Sequence, residues 1–85
     1  MSDFAAALTA LPDGTFFGTA HGRRYVATKS SYANGKSIKL VAEELGGTDY
    51  ISLNWYDLGS GARLKPCEMP EAKVRAFVDA LVPDA

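Results

Sequence analysis

The sequence predicts one domain of the α+β class, with a helix near each end and an antiparallel sheet between them. Apolar residues recur at helical spacing close to both ends of the 85-residue chain. Between these ends, runs of β-favouring residues alternate with short turn sequences, at intervals that suit hairpins and are too short for helical crossovers. We therefore expect an N-terminal helix, a five-stranded antiparallel meander and a C-terminal helix packed on one face of the sheet.

The composition is that of a globular domain, with 47% hydrophobic and 22% charged residues and a formal net charge of −1. The length fits a single domain over residues 1–85, near the small end of what buries its own core, which makes a dimer a reasonable expectation. No segment approaches the ~18 apolar residues of a membrane helix, and the N-terminus lacks the basic region of a secretory signal. We expect a cytoplasmic protein with no membrane partner.

Cys67 and His21 are the only cysteine and the only histidine of the chain. A single cysteine forms no internal disulfide and no multi-cysteine metal site, and it is typical of a reducing compartment. We therefore expect no metal and no cofactor. Cys67 has Glu68 beside it and no second cysteine to resolve an oxidised form, so we interpret it as a small buried residue.

The two predicted helices have recognisable ends. Ser2 can cap the first helix, and the sequence Pro12-Asp13-Gly14 ends it. Its apolar positions share one face: Phe4, Ala7, Leu8 and Leu11. The second helix begins at Pro70, a residue favoured at the first helical position, and it ends before Pro83. Its apolar stripe follows the spacing i, i+3, i+4, i+7: Val74, Phe77, Val78 and Leu81.

Turn residues divide the segment from residue 15 to about residue 67 into five strands. The four turns are His21-Gly22, Asn34-Gly35, Gly46-Gly47-Thr48-Asp49 and Gly59-Ser60-Gly61. In the fourth strand, alternation predicts that Ile51, Leu53 and Trp55 face the core, with Trp55 against Phe77 or Leu81. Tyr50 and Tyr56 then face the opposite side.

The turn at residues 34–35 decides which side chains of the second and third strands share a face, and two closures are open. A two-residue turn would pair Ala33 with Lys36. It would also place Lys29 beside Leu40, on the face that must be buried. We disfavour this closure because it brings a charge into the core.

A three-residue loop with Gly35 in the left-handed conformation pairs Tyr32 with Lys36 and Thr28 with Leu40. We prefer this closure because the core face then holds only apolar residues and a threonine: Val26, Thr28, Ile38, Leu40 and Ala42. It also places Lys29 directly across from Lys39, a destabilising position for like charges that a bound anion would relieve. A slip of one residue would exchange the two faces.

The preferred register predicts a solvent-facing sheet surface on which cations surround tyrosines. Single-stranded nucleic acid needs this combination, because cations follow the phosphates while aromatic rings stack bases at roughly 1–3 kcal/mol each. Residues 23–40 support the idea, since they carry five Lys or Arg and no Asp or Glu. The candidate nucleic-acid-binding residues are Arg23, Tyr25, Lys29, Lys39, Tyr50, Tyr56, Arg63 and Lys65.

Two other interpretations of this surface stay open. One face of a small antiparallel sheet is ordinarily wet, and Lys, Arg, Tyr, Ser and Thr are its usual occupants. The net charge of −1 also differs from the basic excess common in nucleic-acid binders. The alternative function is a protein-interaction or homodimer assembly module in which the tyrosines form the interface.

Residues 23–45, RRYVATKSSYANGKSIKLVAEEL, together with the later strand pair and the helix EAKVRAFVDALV, resemble a known layout. It is the strand-meander-then-helix unit of the positive cofactor four and purine-rich-element-binding families. Those families are dimeric single-stranded nucleic acid binders, and the resemblance implies binding roles for Arg24, Tyr25, Lys36 and Lys39. The chain departs from that layout in its N-terminal helix and first strand and in the sequence RLKPCEMP.

The sequence GTFFG, residues 14–18, resembles the GCFWG active-site motif of peptide methionine sulfoxide reductases. That resemblance implies a thiol-dependent enzyme, but Thr15 stands at the position of the nucleophilic cysteine. A hydroxyl without an activating base does not replace a thiolate. We expect a non-enzymatic protein in which Phe16 or Phe17 is a core residue and Gly18 a strand bend.

Overall fold

The computed structural model describes residues 3–59 and 61–84, which form two helices and one open antiparallel sheet of six strands. The elements in chain order are α1 (Phe4–Ala10), β1 (Gly14–Ala20), β2 (Arg23–Tyr32), β3 (Ser37–Glu44), β4 (Tyr50–Asp57), β5 (Ala62–Pro66), α2 (Glu71–Ala80) and β6 (Val82–Pro83). The spatial order β5-β4-β3-β2-β1-β6 confirms the α+β class and the five-stranded meander and adds a sixth strand. None of the helices in the described part of the chain is long and apolar enough to cross a membrane.

α1 begins where Asp3 supplies its cap. The Asp3 carboxylate accepts hydrogen bonds from the backbone N–H groups of Ala5 and Ala6, two of the donors that a helix start leaves free. The predicted cap, Ser2, lies outside the described residues. Leu11 follows the helix in an extended conformation, so the chain turns toward β1 directly after it.

The unpredicted strand β6 depends on a glycine in β1. Gly18 lies opposite Pro83, and Thr19 opposite Val82. A Cβ atom on Gly18 would lie 2.9 Å from the carbonyl oxygen of Val82, so the close approach of β6 requires a residue without a side chain. Gly18 is therefore a site of strand contact rather than the predicted bend.

α2 lies with its apolar stripe against the same face of the sheet that receives α1. Val74, Phe77, Val78 and Leu81 are all buried, as the helical spacing predicted. The helix begins at Glu71, one residue later than predicted, and Pro70 precedes it as the cap residue. The buried core also includes Phe4 and Leu8 of α1 and residues from the first four strands: Ala20, Tyr25, Ala27, Ile38, Leu40, Ala42, Ile51 and Leu53.

The loop between β2 and β3 has four residues, 33–36, instead of the predicted three. Tyr32 pairs with Ser37, and Lys29 lies directly across from Leu40. The first three loop residues all have positive φ angles, of 54°, 59° and 85°. The strands are thus aligned as a two-residue turn would have aligned them, and the predicted pairs Tyr32–Lys36 and Thr28–Leu40 are wrong.

This alignment exchanges the two faces of β2 relative to the prediction. Tyr25, Ala27 and Lys29 face the helices and are buried, whereas Val26 and Thr28 face the other side. The faces of β4 were predicted correctly, because Ile51 and Leu53 are buried. Trp55 is half-buried, packs against the core and lines a cleft with Phe4, Leu64 and Arg75, among others.

Candidate nucleic-acid interface

One face of the sheet carries no helix, and we call it the outer face. Strand alternation and the observed pairings place eighteen side chains of β1 to β5 on it, and each of them is exposed or half-buried. Glu43 is the single acid of this set. The members are Thr15, Phe17, Thr19, Arg24, Val26, Thr28, Ser30, Tyr32, Ser37, Lys39, Val41, Glu43, Tyr50, Ser52, Asn54, Tyr56, Arg63 and Lys65.

Two cross-strand rows bring cations and tyrosines together at one end of the outer face. The first row runs from Ser30 through Lys39 and Asn54 to Lys65. The second runs from Tyr32 through Ser37 and Tyr56 to Arg63. We call this region the basic end, and it comprises Tyr32, Lys36 of the adjoining loop, Lys39, Asn54, Tyr56, Arg63 and Lys65. Neighbouring strands lie about 4.8 Å apart, so Lys39 and Lys65 are separated by about 10 Å across β4.

Ion pairing divides the cations of the chain into two groups. Of the nine Lys and Arg residues, five lie within 4 Å of an acid: Arg23, Arg24, Lys29, Lys73 and Arg75. The other four form no ion pair with any residue that the structure describes. These four are Lys36, Lys39, Arg63 and Lys65, and all belong to the basic end. Asp57 follows Tyr56 in β4, and its Oδ1 accepts a hydrogen bond from the N–H of Gly59.

Lys29, predicted to lie on the solvated face, is instead a buried structural residue with 5% of its surface exposed. Its Nζ donates to the carbonyl oxygens of Leu8 at 3.0 Å, Thr9 at 3.0 Å and Leu11 at 2.7 Å. These carbonyls belong to the end of α1, which has no basic residue of its own in its last turn. All three ammonium donors are therefore used within the protein, and Lys29 is unavailable to a phosphate.

Lys39 does not oppose Lys29, and the predicted like-charge pair does not exist. Lys39 lies between Ser30 and Asn54 in its row. The electrostatic conflict that would have required a bound anion is absent from this sheet.

Tyr25 is likewise buried, with 2% exposed, so it presents no ring to a base. Its ring meets that of Phe77 edge to face at a centroid distance of 4.8 Å. Its hydroxyl donates to Asp49 Oδ2 at 2.8 Å, while Lys73 Nζ lies 2.7 Å from Asp49 Oδ1. Burial, and then the hydrogen bond to Asp49, raises the pKa of Tyr25. The Lys73 ammonium and the Tyr25 hydroxyl hold the pKa of Asp49 below its ordinary value.

Arg23 and Arg24 are also engaged away from the basic end. Arg23 lies beside Glu44, with Nη1 3.8 Å from Oε1, on the side of the sheet where Tyr25 is buried. Arg24 holds Asp84 through two hydrogen bonds of 2.7 and 2.6 Å, which lowers the pKa of Asp84. The family resemblance implies binding roles for Arg24 and Tyr25. However, the side chain of Tyr25 is inaccessible, and the charge of Arg24 is already paired with that of Asp84.

Tyr50 lies on the outer face but far from the basic end. It pairs with Glu43, and Lys73 Nζ lies 5.8 Å from the centroid of its ring. Tyr50 and Tyr56 are six positions apart along β4, a distance of about 20 Å. Of the eight predicted residues, the structure thus brings Lys39, Tyr56, Arg63 and Lys65 together.

Sequence reasoning missed Tyr32 as a neighbour of this group. Tyr32 is 58% exposed, and it shares a row with Tyr56 because the loop at residues 33–36 has four residues. Three successive residues with positive φ close that loop, and one of them is Ala33, for which nothing in the sequence signals a left-handed backbone.

The residues considered for catalysis form no reactive group. Thr15 shares a hydrogen bond of 3.0 Å with Thr28 on the outer face, and Phe17 beside it is exposed while Phe16 packs against the core. Cys67 is half-buried, and its sulfur lies 3.6 Å from Nδ2 of Asn54. Within residues 3–59 and 61–84, no three His, Cys, Asp or Glu side chains are grouped so as to hold a metal ion.

Comparison of the chain with protein-family models, with curated protein sequences and with solved structures finds no match. The geometry of the outer face is therefore the basis on which a function is assigned.

Proposed function

We propose that the protein is a non-enzymatic, cytoplasmic binder of single-stranded DNA or RNA that uses the basic end of the outer face. One observation carries the proposal: the four cations without an acid partner among the described residues all lie at this end of the sheet. The five other cations each lie within 4 Å of an acid elsewhere, so a chain of net charge −1 still presents a local field that attracts phosphate.

The two rows suggest how such a strand lies on the sheet. Lys39 and Lys65 flank Asn54, so two ammonium groups meet the backbone phosphates while an amide between them reaches a base edge or a sugar. Tyr56 lies beside Arg63 in the next row, and a base stacks on its ring or on the guanidinium plane. Tyr32 offers a second exposed ring two strands away.

The number of free cations limits the strength of this interaction. Each phosphate contact on a single strand contributes about −0.7 to the slope of log K against log salt concentration. Four cations therefore give a slope of about −3 at most, which corresponds to a weak binder that works at low salt or as part of a larger assembly.

The test is fluorescence anisotropy of a labelled, mixed-sequence single-stranded oligonucleotide, titrated with protein at several low salt concentrations. We expect binding that weakens steeply with salt. The double variant Lys39→Gln/Lys65→Gln should lose affinity and reduce the steepness of the slope by about 1.4. The control Arg75→Gln removes a cation that pairs with Glu71 on α2, on the covered side of the sheet, and should leave binding unchanged. Absence of binding at low salt, or equal losses in both variants, would refute the proposal.

A homodimer or another protein partner is the second candidate function, and a different part of the outer face favours it. Phe17 is 50% exposed, and Val26 lies directly across from it. Val82 of β6, which pairs with Thr19 at the same edge of this face, is 65% exposed. Exposed apolar groups of this kind are typical of an interaction surface. Sedimentation equilibrium of the parent and of Phe17→Ser distinguishes the two candidates: a dimer that persists at high salt and dissociates in the variant supports this one.

A further inference from the structure

A cavity of about 160 Å³ lies on the helix-covered side of the sheet, between the starts of β2 and β4 and the middle of α2. Ile51, Ala76 and Phe77 form its apolar lining. Its volume corresponds to about five water molecules at ~30 Å³ each, so it accommodates a ligand of about five to seven non-hydrogen atoms. The cavity shares no residue with the basic end, so a ligand bound in it occupies a different place from the proposed nucleic-acid surface.

Tyr25, Asp49 and Lys73 form one wall of the cavity, and we call these three residues the polar brace. The opposite charges of Asp49 and Lys73 compensate each other. Both carboxylate oxygens of Asp49 are engaged, one by Lys73 Nζ at 2.7 Å and the other by the hydroxyl of Tyr25 at 2.8 Å. The brace ties the loop before β4 to α2 and to β2. Because the negative charge of Asp49 is neutralised by Lys73, it presents little repulsion to an anion entering beside it.

The rim of the cavity holds a cation with unused donors. Arg23 Nη1 lies 3.8 Å from Glu44 Oε1, beyond hydrogen-bond distance, and the guanidinium donates no hydrogen bond to the described residues. Its side chain is 59% exposed. His21 lies beside it in the β1–β2 turn and also lines the cavity. A guanidinium presents its N–H groups as a planar fork that matches the two oxygens of a carboxylate.

We propose that this cavity binds a carboxylate carried on a short apolar body, with the carboxylate on Arg23 and the apolar body against Ala76 and the other apolar lining residues. A bare inorganic anion is a poorer ligand, because it would make no contact with the apolar lining. Two kinds of ligand present a carboxylate next to an apolar group: a free small acid and the C-terminal residue of a peptide.

The experiment is a titration followed by the backbone amide signals of the ¹⁵N-labelled full chain. The probe is 3-methylbutanoate, and its neutral isostere 3-methylbutanamide is the matched ligand control. We expect saturable shifts at His21, Arg23, Asp49 and Ala76 with a Kd of about 1–10 mM, as befits so small a ligand. The amide should bind about tenfold more weakly, because it lacks the charge that the guanidinium fork recognises.

Substitutions of Arg23 test whether its guanidinium holds the carboxylate of the ligand. Arg23→Gln should weaken the acid about tenfold and remove its advantage over the amide, and Arg23→Lys should restore only part of the loss because it keeps the charge without the fork. Arg75→Gln, which alters another cation of the covered side outside this cavity, should bind as the parent does. Both Arg23 variants should remain folded, since that side chain is mostly exposed and makes only a long contact with Glu44.

A second arm assigns the source of the carboxylate. N-acetyl-Gly-Gly-Val with a free C-terminus is compared with its C-terminal amide and with 3-methylbutanoate. Tighter binding of the free peptide identifies a peptide end as the ligand, and tighter binding of the small acid identifies a free acid. The inference is overturned if the acid produces no saturable shift at these amides, if the neutral isostere binds equally well, or if Arg23→Gln binds as the parent does.

Discussion

The ammonium nitrogen of Lys29 lies 2.7 Å from the carbonyl oxygen of Leu11, the residue that directly follows α1. Together with its bonds to Leu8 and Thr9, this contact attaches a helix end to the second strand of the sheet. A buried cation is costly unless it is paired and hydrogen-bonded. Here three carbonyls and the Asp13 carboxylate, 3.8 Å away, supply the compensation.

Replacing this ammonium should destabilise the protein strongly. Lys29→Met keeps much of the side-chain volume but leaves the carbonyls at the end of α1 without their donor, at a cost of about 2–4 kcal/mol in the free energy of unfolding. Lys39→Met, an equal chemical change on the outer face, should alter it by less than about 0.5 kcal/mol. Urea denaturation followed by the fluorescence of Trp55 measures both. Similar losses in the two variants would contradict the structural role of Lys29.

The hydroxyl of Tyr25 should make stability sensitive to alkali. Because the pKa of Tyr25 is raised in the folded state, its contribution is fully present below about pH 10 and is lost as the pH rises through the folded-state value. Tyr25→Phe should cost about 1–2 kcal/mol at pH 7 and should reduce the alkaline decline. The measurement is urea denaturation between pH 7 and pH 11, with Tyr32→Phe as an exposed control. An unchanged alkaline decline in Tyr25→Phe would show that another group causes it.

Asp49 should account for part of the loss of stability in acid. Its pKa is lowered by Lys73 and Tyr25, so its contribution is present above the ordinary value near pH 3.9 and is lost as the pH falls through the folded-state value. Asp49→Asn should be less stable by about 1–2 kcal/mol at pH 7 and should lose less stability on acidification. Glu68→Gln serves as the control for removing an exposed carboxylate. If both variants lose stability on acidification as the parent does, the contacts of Asp49 are not the origin of the acid sensitivity.

Gly18 should be needed for β6. In Gly18→Ala, the new Cβ would lie 2.9 Å from Val82 O and 3.0 Å from Leu81 Cδ1, at a cost of about 1–3 kcal/mol. The N–H of Asp84, which donates to Phe17 O at 2.9 Å in the parent, should lose protection from hydrogen exchange. Retained protection of that amide would mean that the strand tolerates the methyl group.

The elements that the sequence predicts correctly are those whose signal is local. Helical spacing identified the buried stripe of α2, and turn residues identified all four hairpin connections of the meander. Period-two alternation likewise placed Ile51 and Leu53 in the core and Tyr56 outside it. β6 escaped prediction because two residues, Val82 and Pro83, are too few to show any period.

The sequence assigned the candidate residues of β3, β4 and β5 to the correct face of the sheet, but it assigned those of β2 to the wrong face. Lys39, Tyr56, Arg63 and Lys65 lie together because the faces of their strands follow from alternation. Tyr25 and Lys29 were assigned to the wrong face because the loop at residues 33–36 is one residue longer than predicted. That one-residue difference exchanges the faces of an entire strand.

The sequence by itself determined the class, the number of meander strands and the apolar faces of α2 and β4, since these depend on residues close together in the chain. Only the tertiary structure decided the register of β2, because the choice depended on whether a lysine could be buried. A charge in the core is unfavourable in isolation, and from the sequence its exclusion was the sound choice. The carbonyls that satisfy Lys29 come from α1, 18 to 21 residues earlier in the chain, and they reach its ammonium only when the helix and the sheet have packed together.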